Sequence, residues 1–256
     1  MILSDSFSRV SNPYETPQLV SDYLFFHYAA FHEAAGDLPI PESAWGFAQR
    51  VVNELLDPTS PSSSALDIGC AVGASSFELA RTIPRVLGID YSEAFIEAAE
   101  TLKNNSFLAG NVPWEGRKIQ SFVARIPAHI DRQRVHFETG NAIDLRRNLG
   151  NFDVVLAANL LCRLPAPIAF LERLPDLVAP GGQLLMATPF SWLEQYTPPF
   201  LWLGGQQDGP TSADVLQEKL SSHFRLEHEI NLPFLIREHS RKFQYGISLG
   251  TRWRRL

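Results

Sequence analysis

Apolar positions along this chain follow two rhythms. Over residues 18–56 they recur at helical spacing, and from residue 65 onward they bunch into short runs separated by amphipathic stretches. Leu19, Val20, Tyr23, Phe26, His27 and Ala30 mark one face of a helix predicted over 18–35, Pro39 and Pro41 punctuate it, and a second helix is predicted over 42–56. Pro58-Thr59-Ser60-Pro61-Ser62-Ser63-Ser64 is a linker. Then come a strand over 65–68, a helix over 74–82, a strand over 86–90 and a helix over 93–102. Strands over 135–138 and 152–158, a helix over 167–178, the turn Ala179-Pro180-Gly181-Gly182 and a strand over 183–188 complete the alternation. Such an order predicts an α/β fold, a mostly parallel sheet with helices on both faces.

Residues 104–131 are too long for a simple crossover and read as an insertion, with strand character around 118–124. The tail predicts a helix over 212–222 and strands over 225–231 and 243–249, a closing antiparallel hairpin at the sheet edge. Arg252, Arg254 and Arg255 read as a solvated tail. The expected division is a helical cap and substrate-side segment over 1–62 and the sheet domain over 63–256.

The chemistry concentrates in Leu66-Asp67-Ile68-Gly69-Cys70-Ala71-Val72-Gly73 and in Val86-Leu87-Gly88-Ile89-Asp90. Strand, glycine turn, helix, strand and carboxylate form the nucleotide-binding half of a Rossmann-like domain. A dinucleotide site brings backbone N–H groups up to a pyrophosphate, and a carboxylate on the turn would repel that anion. Asp67 suits instead S-adenosylmethionine, which has no phosphate and carries an ammonium and a sulfonium. Asp67 would take the ammonium, and Gly69 and Gly73 would let backbone approach the ligand. Asp90, about 20 residues after the turn, stands where a carboxylate grips two ribose hydroxyls. Tyr91 can lie against adenine, Asn141 and Ala142 near the adenine amino group, and Asn159 and Leu160 at the methyl-transfer opening. Cys70 reads as a packing residue beside the ligand, since no base is evident next to it.

Composition narrows the partners. A formal charge of −6 argues against nucleic acid and anionic lipid. The richest apolar run, over 154–164, is too short to span a bilayer. Two cysteines make no disulfide framework, and residues 1–10 lack a basic start and an apolar core, so the expected compartment is the cytoplasm. The seven histidines show no metal-ligand spacing, so no metal is expected.

These residues resemble the class I S-adenosylmethionine-dependent methyltransferases. Asn12-Pro13-Tyr14-Glu15-Thr16 and Tyr23-Leu24-Phe25-Phe26-His27-Tyr28 resemble, more narrowly, the ovothiol-pathway 4-mercaptohistidine (5-thiohistidine) N-methyltransferases. So do Ala157-Ala158-Asn159-Leu160, the run from Pro189 to Pro198, Trp202-Leu203-Gly204-Gly205, Ile236-Arg237-Glu238 and Arg241-Lys242-Phe243-Gln244-Tyr245. Two departures stand out: Asn141 occupies a position where an acidic residue is expected, and residues 104–131 match poorly.

The resemblance implies methyl transfer to an imidazole nitrogen of 5-thiohistidine, supplied by a thiohistidine synthase on a separate chain. Tyr14, His27, Tyr28 and Tyr196 would suit a flat heteroaromatic ring. Glu15 would hold the substrate ammonium, and Arg163, Arg241 or Lys242 its carboxylate. Tyr14, His27 and Tyr196 are the candidates for a proton acceptor. Each has a plainer alternative: a buried histidine, a glutamate on a helix N-terminus, core aromatics, charged flanks guarding a sheet edge. A methyltransferase for another small acceptor, or a non-catalytic cofactor-binding partner of the synthase, stays open.

Overall fold

A computed structural model describes residues 12–256; the expectation for residues 1–10 lies outside the described residues. Strands β1 (Ser64–Ile68), β2 (Arg85–Asp90), β5 (Val135–Thr139), β6 (Phe152–Ala158) and β7 (Val178–Thr188) run parallel. Strand β9 (Lys242–Arg255) is antiparallel to β7, and β8 (Phe224–His239) closes the edge in the order β5-β2-β1-β6-β7-β9-β8. This is the expected Rossmann-like sheet with its antiparallel hairpin. The central strands are apolar on both faces because both faces are covered. Ala65, Val154 and Leu156 join the core under α1 (Pro17–Tyr28), α3 (Phe47–Leu55), α4 (Ala74–Leu79) and α5 (Glu93–Asn105). Leu66, Ile68, Val155 and Ala157 face the opposite core, under α6 (Pro167–Leu177) and α7 (Ser212–Ser221).

Three predicted elements differ in form. The helix expected over 18–35 breaks after Tyr28 and resumes as α2 (Phe31–Ala35). The break is held by side chains that take over its end: Trp45 Nε1 donates to the Ala29 carbonyl at 2.7 Å, Gln49 Nε2 to that of His27 at 2.8 Å, and Glu33 accepts from Ala30 N at 2.9 Å. The helix expected over 42–56 is a short turn followed by α3, because Gly46 adopts φ +68° between them. Within residues 104–131, α5 runs on to Asn105 and a separate antiparallel hairpin follows, β3 (Phe107–Glu115) with β4 (Lys118–Arg125), the latter where strand character is expected.

That hairpin packs against α1, α5 and β8. Pairing of β7 with β9 stops at Thr188–Leu249, yet β8 and β9 remain paired to His239–Lys242. At about 3.4 Å per residue the two strands project roughly 20 Å beyond the carboxyl edge. Arg237, 8% exposed, ties this projection down. Its guanidinium lies between the Phe25 and Trp114 rings, 5.0 and 5.2 Å from their centroids, and donates to Gln120 Oε1 at 2.6 Å.

The arginines expected as a solvated tail are instead built into β9. Arg254 spans Glu227 and Asp57 at 2.9 and 3.1 Å, and Arg252 donates to the Leu55 carbonyl at 3.1 Å. The terminal strand thereby gains partners on both sides that composition alone does not reveal.

Candidate active site

Among the described residues, three of the four non-glycine residues with positive φ lie at the carboxyl ends of the central strands: Ala71 (φ 47°) after β1, Asn159 (φ 53°) after β6 and Phe190 (φ 49°) after β7. Strain collected at one sheet edge marks a place where geometry is set for something other than stability.

Asp67 sits at that edge, 1% exposed, with Ser76 Oγ donating to it at 2.6 Å. Burial pushes its carboxyl up to about 7, and the nearby Asp90 carboxylate adds to the rise while the Ser76 bond opposes it. Asp90 accepts from Ala71 N at 2.8 Å and from Ser92 N at 2.9 Å, which fixes its plane across the mouth of the glycine turn. Burial raises its pKa despite those amides.

The turn itself needs its glycines. Gly73 has φ +83° and a Cβ there would stand 2.6 Å from Phe137 Cζ; at Gly69, φ +77°, it would meet Leu160 Cδ1 at 3.0 Å. Tyr28 reaches down from α1 and donates to the Val72 carbonyl at 2.9 Å, bracing the turn from above. Tyr28→Phe is expected to weaken ligand binding at the turn about fivefold, the worth of one neutral hydrogen bond, with the fold intact; calorimetric titration measures it.

A strap formed by residues 12–16 crosses the Asp90 loop. Ser92 Oγ donates to the Tyr14 carbonyl at 3.0 Å, and both Glu15 oxygens accept from the start of α5, from Glu93 N at 3.2 Å and Ala94 N at 3.1 Å. Glu15 is therefore engaged as a helix cap. Tyr14 packs against Phe95 and Tyr23 and stacks on Tyr196 with centroids 6.4 Å apart, its hydroxyl donating to that of Tyr196 at 3.5 Å. Burial and the surrounding tyrosines hold Tyr14 well above the ordinary phenol value. Arg163 lies with its Cζ 5.2 Å from the centroid of Tyr196 and donates to the Ser191 and Cys162 carbonyls at 2.7 and 3.1 Å. The loop bearing Tyr196 is fixed by Thr197 Oγ1 on the Leu164 carbonyl, 2.7 Å, and by Trp202 Nε1 on the Thr197 carbonyl, 2.8 Å.

The remaining expected positions separate into two groups. Tyr91 (63% exposed), Asn141, Ala142, Asn159 and Leu160 follow the ends of β2, β5 and β6 along the same edge. Asn141 Oδ1 accepts from Ile143 N at 3.1 Å, and Asn159 Oδ1 from Ser248 Oγ at 2.7 Å. Cys70 is buried and its thiol pushed well above the usual value, first by burial and then by Asp90 and Asp67, so it is no thiolate nucleophile. His27 packs on Tyr23 and Phe26; burial lowers its pKa to about 4, and its Nδ1 is buried without a partner. Arg241 and Lys242 lie at the β8–β9 turn and do not join the tyrosine cluster. Lys242 pairs with Glu238 at 2.5 Å, and Arg241 lines a hollow of about 600 Å³ with Trp114 and α2.

Ser76 and Ser92 escaped the sequence reading, and Tyr23 entered it only as a helix-face residue and part of the resemblance, not as a site residue. Ser92 carried a signal, a cap residue directly after Asp90 and before α5. Tyr23 stands four residues before His27 on one helix face, a spacing that serves core and site alike.

Among the described residues no helix is long and apolar enough to cross a membrane. A family model described as a methyltransferase domain matches residues 42–230. The ubiquinone biosynthesis O-methyltransferase of Xylella fastidiosa (strain 9a5c) is 25% identical over 188 residues, 73% of this chain and 64% of that protein. That of Xanthomonas campestris pv. campestris (strain B100) is 24% identical over 128 residues, 50% of this chain and 44% of that protein. The chain thus spans about half the length of the curated relatives it matches. The N-methyltransferase NodS from Bradyrhizobium japonicum WM9, solved with S-adenosyl-L-homocysteine, superposes with a TM-score of 0.53 over 92% of this chain and 98% of that one, at 15% identity. The magnesium protoporphyrin IX methyltransferase from Synechocystis PCC 6803, solved with bound SAM, gives 0.50 over 82% and 76%, at 17% identity. At these identities the likeness is one of fold.

Proposed function

Because the chain belongs to the methyltransferase-domain family, matched over residues 42–230, we propose that it transfers a methyl group from S-adenosylmethionine to an imidazole nitrogen of 5-thiohistidine, a step of ovothiol formation. S-adenosylmethionine is the cofactor, and it supplies an electrophilic methyl group on a sulfonium. The observation that carries the donor half of the reading is the acidic pair flanking the glycine turn, Asp67 buried behind Ser76 and Asp90 fixed by two backbone amides.

Asp67 binds and orients the cofactor's ammonium, and Asp90 takes the ribose hydroxyls with its remaining lone pairs. Tyr91 covers the adenine, with Asn141 and Ala142 at its edge. Gly69 and Gly73 let the turn adopt its positive-φ path against Leu160 and Phe137. These roles account for buried carboxylates that would otherwise cost stability.

Three features support a flat, carboxylate-bearing acceptor. Tyr14 and Tyr196 form a stacked aromatic pair with Arg163 over the Tyr196 ring, Tyr28 braces the adjoining turn, and Arg163 presents a guanidinium whose hydrogen bonds go to neutral acceptors. Of the three groups considered for the proton, His27 is unsuited: with a pKa near 4 it cannot retain an imidazolium's proton. Tyr14, raised by its neighbours, serves as a hydroxyl donor to Tyr196. Tyr196 then faces the acceptor. Positioning of the two reactants supplies most of the rate. The thiohistidine comes from a thiohistidine synthase activity.

The purified protein, incubated with S-adenosylmethionine and 5-thiohistidine, should add a single methyl group by mass spectrometry, with little transfer to histidine. Cofactor binding without methylation of thiohistidine overturns the acceptor and directs attention to other small acceptors.

A further inference from the structure

Asp67 belongs to a row that crosses four parallel strands. Leu156 of β6, Asp67 of β1, Gly88 of β2 and Phe137 of β5 are paired in register and so share one face of the sheet. Asp67 therefore has an apolar neighbour on one flank and no side chain on the other. The gap at Gly88 is filled from two directions: a Cβ there would stand 2.7 Å from Phe137 Cδ1 and 2.9 Å from Ser76 Oγ. Ser76, fully buried in the first turn of α4, places its hydroxyl in this gap and donates to Asp67 Oδ2 at 2.6 Å. Glycine inside a strand weakens it, and the access it gives the hydroxyl accounts for its presence here.

The last torsion of an aspartate is broad, and neither Leu156 nor Phe137 can hydrogen-bond the carboxylate. We propose that Ser76 is a positioning residue for cofactor binding: seated in the slot that Gly88 leaves, its hydroxyl holds Oδ2 and so aims Oδ1 at the cofactor's ammonium. This rests on the ammonium contact proposed above for Asp67. The same bond favours the ionised carboxylate, against burial and the charge of Asp90. The other titratable groups around Asp67 are Cys70 of the turn and Tyr28 of α1, both pushed well above their ordinary values, first by burial, and hence neutral. Glu78, further along α4, is paired with Arg81 at 2.5 Å.

S-adenosylhomocysteine keeps the ammonium and cannot donate a methyl group, so it is the probe, titrated by calorimetry across pH. In the wild-type chain its affinity should bend at about pH 7, where Asp67 ionises. Ser76→Ala should weaken binding about tenfold at neutral pH and move the bend up by about one pH unit, the scale of one hydrogen bond to a charged group. Ser76→Cys fills the slot but donates weakly, and should follow alanine. Ser75→Ala is the control. It removes a buried hydroxyl from the same helical turn, one that donates to the Ala48 carbonyl at 2.9 Å, and should lower the melting temperature without moving the bend. An unmoved bend in Ser76→Ala, or the same change in Ser75→Ala, reduces Ser76 to a packing residue and overturns the inference. A wild-type affinity that does not vary with pH overturns instead the ammonium contact assigned to Asp67.

Discussion

Asp67→Asn should lower affinity for S-adenosylmethionine by roughly a hundredfold, since it removes a charge-assisted bond from a desolvated site. The substitution preserves size and can still accept from Ser76, so the circular dichroism spectrum and the melting transition should survive. The same carboxylate predicts a pH profile. Its pKa in the unliganded protein is raised to about 7, and only the ionised form attracts the cofactor's ammonium. Cofactor affinity should therefore fall about tenfold per pH unit below neutrality and flatten above it. Stability runs in the other sense. A carboxyl whose folded pKa lies above its unfolded value stabilises fully below the ordinary carboxylate pKa, and that contribution is lost as pH rises through about 7. The unliganded protein should thus lose stability from this group between about pH 4 and 7, while the cofactor stabilises it progressively more over the upper part of that range. Titration calorimetry and thermal melts across pH, with Asp67→Asn as the flat control, measure both slopes. A wild-type affinity that is independent of pH would assign the ammonium to another group.

The central sheet was legible because its strands are solid apolar runs bounded by glycine and proline, and their order leaves one sensible topology. The arrangement of the proposed cofactor side was legible for a related reason: Asp67, the turn and Asp90 lie close together in sequence, so spacing reports their geometry. The acceptor side is assembled from residues distant in the chain. Tyr14 meets Tyr196 across 182 positions, and nothing local to either announces the other. The division of the first predicted helix was equally hidden, because the groups that end it, Trp45 and Gln49, come from beyond it. Of the β3–β4 hairpin, β4 was legible as strand character around 118–124, whereas β3 was obscured by Gly110 and Pro113 within a strand that forms against β4, α1, α5 and β8. Arg237 is the same case in miniature. A cation between charged and apolar neighbours in sequence becomes, in the fold, the pin between two hairpins and a helix.

Arg163→Met should raise the KM for an amino-acid acceptor about fiftyfold and leave the affinity for S-adenosylmethionine within about twofold, the loss expected when one charged hydrogen-bonded partner is removed. Methionine keeps much of the side chain's length, so packing over Tyr196 is only partly lost, whereas the charge is lost entirely. Lysine would restore charge without the planar fork and should recover only part of the effect. A structural role for Arg163 would produce a different pattern. Its bond to the Ser191 carbonyl, 2.7 Å, steadies the segment leading to Tyr196, so a merely structural arginine would impair every acceptor alike. The discriminating measurement pairs the variant with two acceptors, 5-thiohistidine and its decarboxylated counterpart, which retains the ring and thiol. Wild-type protein should favour the carboxylate-bearing acceptor strongly, and Arg163→Met should abolish that preference while barely changing turnover of the decarboxylated one. Equal losses on both would move the carboxylate contact elsewhere and leave Arg163 as a brace for the Tyr196 loop.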